Sequence, residues 1–155
     1  MAGYKNSTLI YIEKDNCYLM LHRIKKKNDV NKDKWIGIGG HFEDRESPDD
    51  CVIREVMEET GLTLTDYKLR AVVTFICDKY PTEYMFLYTA TGFTGTMNED
   101  CNEGVLEWVP KDKLNELNLW EGDYIFLDLL DKGNDFFTLK LVYDGDKLIS
   151  HEMGK

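Results

Sequence analysis

Long apolar runs are missing from this chain. No stretch approaches the roughly 20 residues that a bilayer-spanning helix needs. The opening Met1-Ala2-Gly3-Tyr4-Lys5-Asn6-Ser7 has no apolar core and no small-residue cleavage site of a secretion signal. A cytoplasmic protein without a membrane partner is therefore expected. Cysteine is sparse: four residues, at 17, 51, 77 and 101, with no C-x-x-C pair. That spacing argues against a zinc site, and a reducing compartment argues against disulfides. The cysteines, with Met20 and Met57, read as core filler. Positive charge is also short, with 19 basic residues against 29 acidic and a net charge of −10. A binder of nucleic acid polymers normally carries a basic face. The one basic cluster, Lys25-Lys26-Lys27 with Lys32 and Lys34, is broken by Asp29 and Asp33 and reads as a solvated loop. An acidic protein can still take a small phosphate ester when metal ions mediate.

What is present is enough for a packed core. The 155 residues are the size of one domain, expected to span 1–155. Ser7–Lys14 and Cys17–Arg23 read as a hairpin across Asp15-Asn16. Trp35-Ile36-Gly37-Ile38-Gly39-Gly40 alternates apolar residues with glycine, as a short strand does where backbone or ligand comes close. Strands are expected over Leu69–Cys77, Glu83–Ala90 and Val105–Val109. A helix is expected over Trp120–Asp131, then a hairpin of Phe136–Tyr143 and Lys147–Glu152. Strands around two helices, without repeat or linker, predict a mixed α/β (α+β) sandwich.

The clearest element lies at residues 48–60. Ser47 is a good N-cap, Pro48 suits the first helical position, Asp50 completes a box-like cap and Gly61 supplies the stop. On a helical wheel Val52, Ile53, Val56 and Met57 share one side, and Glu55, Glu58 and Glu59 the other. Like charges at i, i+3 and i+4 cost a helix about 0.2–0.5 kcal/mol per pair. The last turn of a helix also disfavours anions. Two readings follow: a solvated acidic face, or a cluster held together by a hard cation such as Mg²⁺ or Mn²⁺.

The surrounding pattern favours the cation. Gly40, five residues, Glu46, seven residues, then Arg54-Glu55-Val56-Met57-Glu58-Glu59-Thr60-Gly61-Leu62 resembles the Nudix box at every defined position. The resemblance implies a mixed sheet sandwiched between helices, and metal-dependent hydrolysis of a nucleoside diphosphate linked to another group. It implies Glu55, Glu58 and Glu59 as metal ligands, with Glu55 also the proposed base and the Gly39 carbonyl completing the shell. Arg54 would orient Glu55, and Glu46 would hold the loop against the helix. Glu103 stands just before Val105–Val109, where related enzymes place a further acidic ligand or base; ordinary loop charge is the other reading.

Outside the box the chain is similar to MutT-type enzymes, which convert oxidised purine nucleoside triphosphates such as 8-oxo-dGTP to monophosphate and pyrophosphate. The stretches that carry this are Trp35–Gly40 and Leu119-Trp120-Glu121-Gly122-Asp123. The resemblance implies Trp120 stacking on the purine and Asp123 bonding its edge, with Arg23 near phosphate or base. Phe75 and Met85 are further candidates for the pocket lining. Ile36 stands where the mammalian branch has a base-reading asparagine, and Gly122 where it has a second acid. Alternatives are another nucleoside diphosphate derivative, such as ADP-ribose or a dinucleoside polyphosphate, or a non-catalytic nucleotide-sensing module. Edge strands leave a homodimer open.

Overall fold

A computed structural model describes residues 3–98 and 100–155. Ten strands join one mixed sheet, and two helices cover its two faces. β1 (Lys5–Lys14) turns into β2 (Cys17–His22) through Asp15 and Asn16. Both turn residues have positive φ, 52° and 60°, the conformation that a tight hairpin demands and Asp or Asn tolerates. The expected single strand at Trp35–Gly40 is two. β3 (Trp35–Ile36) pairs with β2, and β4 (Ile38–His41) pairs with β1. Gly37 is the joint, because a side chain there would stand 2.6 Å from the Ile10 carbonyl oxygen.

α1 (Pro48–Thr60) begins and ends as its sequence predicts. Ser47 Oγ accepts the Asp50 N–H, Asp50 accepts the Ser47 N–H, and Gly61 closes the helix at φ 79°. From there the chain runs almost directly into β5 (Thr63–Cys77), which folds back at Asp78-Lys79 into β6 (Tyr80–Thr94). Both are 15 residues long, well beyond the expected spans. β7 (Asp100–Cys101) and β8 (Gly104–Pro110) follow, then a 3₁₀ turn at Lys111–Glu116 and α2 (Glu121–Asp131). β9 (Phe137–Asp144) and β10 (Lys147–Met153) close the sheet as a hairpin.

The strand order is β10-β9-β5-β6-β1-β2-β8-β7, with β4 on β1 and β3 on β2. β1 with β6 and β5 with β9 are parallel; the other pairs are antiparallel. Alternation along β1 divides the core. Leu9 and Tyr11 join the cluster under α2 with Phe126, Leu127 and Leu130, whereas Ile10 and Ile12 join the cluster under α1 with Val52 and Val56. Register irregularities along β5, one of them between Leu69 and Ala71, move its inward residues from the α1 side to the α2 side.

Two expectations need correction. Ile53 and Met57 do not dock α1; they are 38% and 46% exposed, so Met57 is not core filler either. The buried stripe is Cys51, Val52, Val56, Glu59 and Thr60. The helix is rotated so that carboxylates, not only aliphatics, face the sheet.

Candidate active site

Gly39 and Gly40 sit in the middle of β4 with their α-carbons opposite Leu9 and Thr8 of β1. A side chain on Gly39 would run into the Thr8 carbonyl, and one on Gly40 would stand 2.5 Å from Glu55 Oε1. The bare backbone thus makes room for the acidic stripe of α1. Glu59 is buried, and its Oε2 accepts the Gly39 N–H at 3.3 Å. Here it is the N–H of Gly39, not its carbonyl, that meets the glutamate. Burial, with the Glu103 carboxyl beside it, pushes the Glu59 carboxyl well above the usual carboxylate range. Burial also raises Glu55, against the lowering effect of Arg54.

Arg54 organises the other oxygens. Its Nε and Nη2 donate to the two oxygens of Glu46 at 2.6 and 2.8 Å, a bidentate pair. Nη1 donates to Glu55 at 2.8 Å and to Glu58 at 3.2 Å, and Nη2 also reaches the His41 carbonyl at 3.2 Å. The guanidinium holds the Glu46 carboxyl down to about 2. Glu46 also accepts the Glu43 N–H at 2.7 Å and so ties the loop to the helix. Glu58 stays open to solvent at 57% side-chain exposure, against 14% for Glu55.

Glu103 comes to the same place from the start of β8. Arg23 Nη1 donates to it at 3.1 Å, while Arg23 Nε donates to Asp29 at 2.7 Å; Lys26 lies 3.7 Å from the other Glu103 oxygen. With only 12% of its side chain exposed, Arg23 is held by these two carboxylates.

The donor set fits a hard divalent cation. Its side-chain donors are oxygen only, and two of the carboxyls, Glu55 and Glu59, are driven toward protonation by burial and mutual repulsion, a strain that a cation relieves. Among the described residues no three such groups yet converge on one point. Glu55 and Glu58 lie on Arg54 instead.

The second group of candidates lies on the α2 side. Trp120 is the residue before α2, half-buried, with its indole N–H donated to Asn31 Oδ1 at 2.8 Å. Lys34 Nζ sits 4.8 Å above the Trp120 ring and also bonds Asn118 Oδ1 at 3.1 Å. Trp120 meets Tyr143 edge-on at 5.8 Å, and Phe75 meets the same Tyr143 at 6.4 Å. Phe75, Trp120 and Tyr143 therefore form one aromatic wall, with buried Met85 in the same cluster. Asp123 is 4% exposed, and burial pushes its carboxyl up to about 8, opposed only by Lys34.

The two departures have physical accounts. Ile36 packs with the α1-side cluster while Trp35 packs with the α2 side. Gly122 donates its N–H to Tyr143 Oη at 2.7 Å, and a side chain there would stand 2.6 Å from Leu141 Cδ1. An acid at position 122 would have to displace the ends of the Leu141 and Tyr143 side chains. Tyr143 and Asn31 were not singled out from the sequence, and Lys34 only as part of the basic cluster expected to be a solvated loop. The alternation Phe137, Leu139, Leu141, Tyr143 was the available signal for the first; the two loop residues carried none.

Comparison with known proteins agrees with this geometry. The family model described as NUDIX domain matches residues 3–130. An uncharacterized Nudix hydrolase of Bacillus subtilis, YvcI, is 33% identical over 124 residues, 77% of this chain and 78% of the relative. The oxidized purine nucleoside triphosphate hydrolase of Mus musculus is 26% identical over 130 residues, covering 83% of this chain and 82% of that one. The crystal structure of a mutator MutT protein from Bacillus halodurans superposes with a TM-score of 0.85 at 27% identity, over 96% of this chain and 97% of the other. The chain belongs to the NUDIX domain family and is a Nudix hydrolase, an enzyme that cleaves phosphoanhydride bonds of nucleoside phosphates.

Proposed function

We propose that the chain hydrolyses a purine nucleoside triphosphate to the monophosphate and pyrophosphate with Mg²⁺, or Mn²⁺ in its place, and that oxidised purines of the 8-oxo-dGTP kind are its preferred substrates. The observation that carries this reading is the pairing of two unlike sites. Carboxylates crowd around Gly39–Gly40, and a lone buried carboxyl, Asp123, sits beside the aromatic wall of Trp120, Tyr143 and Phe75. The relative from Mus musculus, by its name, acts on oxidised purine nucleoside triphosphates.

Glu55, Glu58, Glu59 and Glu103 would hold the cation, with the Gly39 carbonyl. Bound there, the cation supplies charge to a polyphosphate that these carboxylates would otherwise repel, and acidifies water for attack at phosphorus. Arg54 orients Glu55 and Glu58 through Nη1, and its fork to Glu46 keeps the loop before α1 in register with the helix. Glu55, half-buried and raised by burial against the pull of Arg54, would be a stronger base than an exposed glutamate and so suited to take a proton. Arg23 fixes Glu103. At the other end Trp120 offers its ring to the base and Asp123 a neutral carboxyl, one donor and one acceptor, to the base edge. For a base to stack on the face that Lys34 covers, the Lys34 ammonium must move aside.

A panel of nucleotides with Mg²⁺ and product identification tests the reading. Monophosphate and pyrophosphate from 8-oxo-dGTP, faster than from dGTP, is the expected outcome. Faster cleavage of ADP-ribose or a dinucleoside polyphosphate would overturn the substrate and leave the family untouched.

A further inference from the structure

Tyr11 carries a polar atom that the fold does not use. Its ring is wholly buried between Tyr18, at 5.3 Å between centroids, and Phe126, at 6.2 Å. Its hydroxyl is the one enclosed side-chain polar atom without a hydrogen-bond partner among the described residues. An unpaired hydroxyl is costly in an apolar core, and phenylalanine would fill nearly the same volume without that cost. Packing alone therefore does not account for a tyrosine here.

The neighbourhood suggests what the hydroxyl is for. Phe126, which packs on the Tyr11 ring, lies one turn after Asp123 on α2, and residues three apart share a helix face. The Asp123 carboxyl thus projects from the first turn on the side where Tyr11 lies. It is itself buried, and Lys34 supplies the charge that favours its ionised form. Gly37 passes directly over the tyrosine: a methyl group there would stand 3.2 Å from Tyr11 Cε1, and the Gly37 N–H faces the phenol oxygen from outside hydrogen-bonding geometry, which leaves the O–H proton without an acceptor. The unpaired Tyr11 hydroxyl and the nearly buried Asp123 carboxyl, whose charge bears on that hydroxyl, thus occupy one side of the core, beneath the strand that leads to Gly39 and Gly40.

We infer that Tyr11 is a positioning residue for base selection, its hydroxyl donating to one oxygen of Asp123 when a purine docks and so fixing which oxygen of that carboxyl donates to the base and which accepts. The inference rests on Asp123 reading the base, as set out under the proposed function. A carboxyl free to exchange its donor and acceptor oxygens serves a 6-oxo edge, with N–H beside C=O, and a 6-amino edge, with the reverse order, about equally. A carboxyl whose oxygens are assigned serves one of them. Tyr11 supplies the polar constraint that Ile36 and Gly122 do not.

The test compares kcat/KM for 8-oxo-dGTP and 8-oxo-dATP in the wild type, Tyr11→Phe, Asp123→Asn and the double variant. Melting temperatures are measured alongside, and calorimetry follows binding of the two matching monophosphates. Tyr11→Phe is expected to reduce the wild-type preference between the two bases about tenfold through KM, the worth of one hydrogen bond to an acidic group. Its kcat on the preferred substrate should hold, its melting temperature should hold or rise as the unpaired hydroxyl is removed, and it should add nothing in the Asp123→Asn background. An equal loss on both substrates with a lowered melting temperature, or failure of Tyr11→Phe to fold, would make the hydroxyl structural and overturn the inference. Unchanged selectivity in Tyr11→Phe, with selectivity lost in Asp123→Asn, would overturn it while leaving Asp123 as the reader. A wild type that does not select among bases would remove the parent reading and this one together.

Discussion

The two ends of the proposed site handle buried negative charge in opposite ways. Around β4 and α1 the carboxylates are many and each is answered: Glu46, Glu55 and Glu58 by Arg54, Glu103 by Arg23 and Lys26, Glu59 by the Gly39 N–H. Under α2 there is one carboxylate, Asp123, buried among aromatics with only the distant field of Lys34 to favour its ionised form. The first arrangement gathers carboxyls for a cation and a polyphosphate, with Glu55 and Glu59 pushed up by burial and by their neighbours until such a charge joins them. The second discourages charge, and so keeps a hydrogen-bond donor in a place where a flat base would sit. Substitutions that remove a carboxylate should accordingly act in different currencies at the two ends.

The largest effect is expected at the crowded end. Glu58→Gln and Glu59→Gln should each lower kcat/KM by about a hundredfold or more, through lost cation charge, in steady-state assays at saturating Mg²⁺. They should differ in stability. Glu58 is open to solvent, so its variant should melt with the wild type; Glu59 is buried and held toward protonation, so its variant should melt at the same temperature or higher. Near-normal turnover by Glu58→Gln would remove that residue from the cation site. Arg54→Lys comes next. A lysine has no fork and cannot serve Glu46, Glu55 and Glu58 together, so a loss of roughly 10–100-fold in activity or Mg²⁺ affinity is expected, the usual range for a group that orients ligands. A variant with full Mg²⁺ affinity would show that the carboxylates orient themselves.

How much of this was legible beforehand follows the same division. The crowded end is written in one continuous stretch, Gly40 to Leu62, with its caps and its charges at fixed helical spacing. Even there one feature was misread. Apolarity alone placed Ile53 and Met57 inward, but the helix rolls toward the space left by Gly39 and Gly40 and takes Glu55 and Glu59 with it. The start of β5 was missed because Thr63-Leu64-Thr65-Asp66 alternates with polar residues whose strand partners lie far along the chain, at Gly92–Thr94. The α2 end draws Asn31, Lys34, Phe75, Trp120 and Tyr143 from separate segments, and no spacing rule connects them. Trp120 and Asp123 were found by resemblance; Tyr143 shares the alternation of Phe137, Leu139 and Leu141, but what that face of β9 meets only the fold reveals.

The α2 end offers a smaller, purely structural test. Gly122→Ala should destabilise the fold by about 1–3 kcal/mol, the usual cost of overpacking, because the new methyl meets Leu141 Cδ1 at 2.6 Å and Tyr143 Oη at 2.7 Å. Chemical denaturation with unchanged m-value would measure it. An unaffected midpoint would mean that the wall of Leu141 and Tyr143 yields, and that glycine is not what excludes an acid from this position.

The smallest effect, and the one that separates the two ends most cleanly, is the pH dependence of Asp123→Asn. In the folded chain the Asp123 carboxyl is pushed up to about 8 by burial, whereas an aspartate in an unfolded chain titrates near 3.9. The folded state therefore binds this proton more tightly than the unfolded state does. Its contribution to stability is whole below about pH 4, declines as pH rises through the interval, and is gone above about pH 8. Asparagine keeps the shape and has no proton to lose. At pH 4 the two proteins should melt together; at pH 8 the variant should be the more stable, on the order of 1–2 kcal/mol once water and Lys34 have relaxed toward the charge. The wild-type curve should fall across that range relative to the variant's. Parallel curves from pH 4 to 8 would mean that Asp123 ionises as freely in the fold as in water, and a carboxylate of that kind would not offer the neutral O–H that the base-reading role requires.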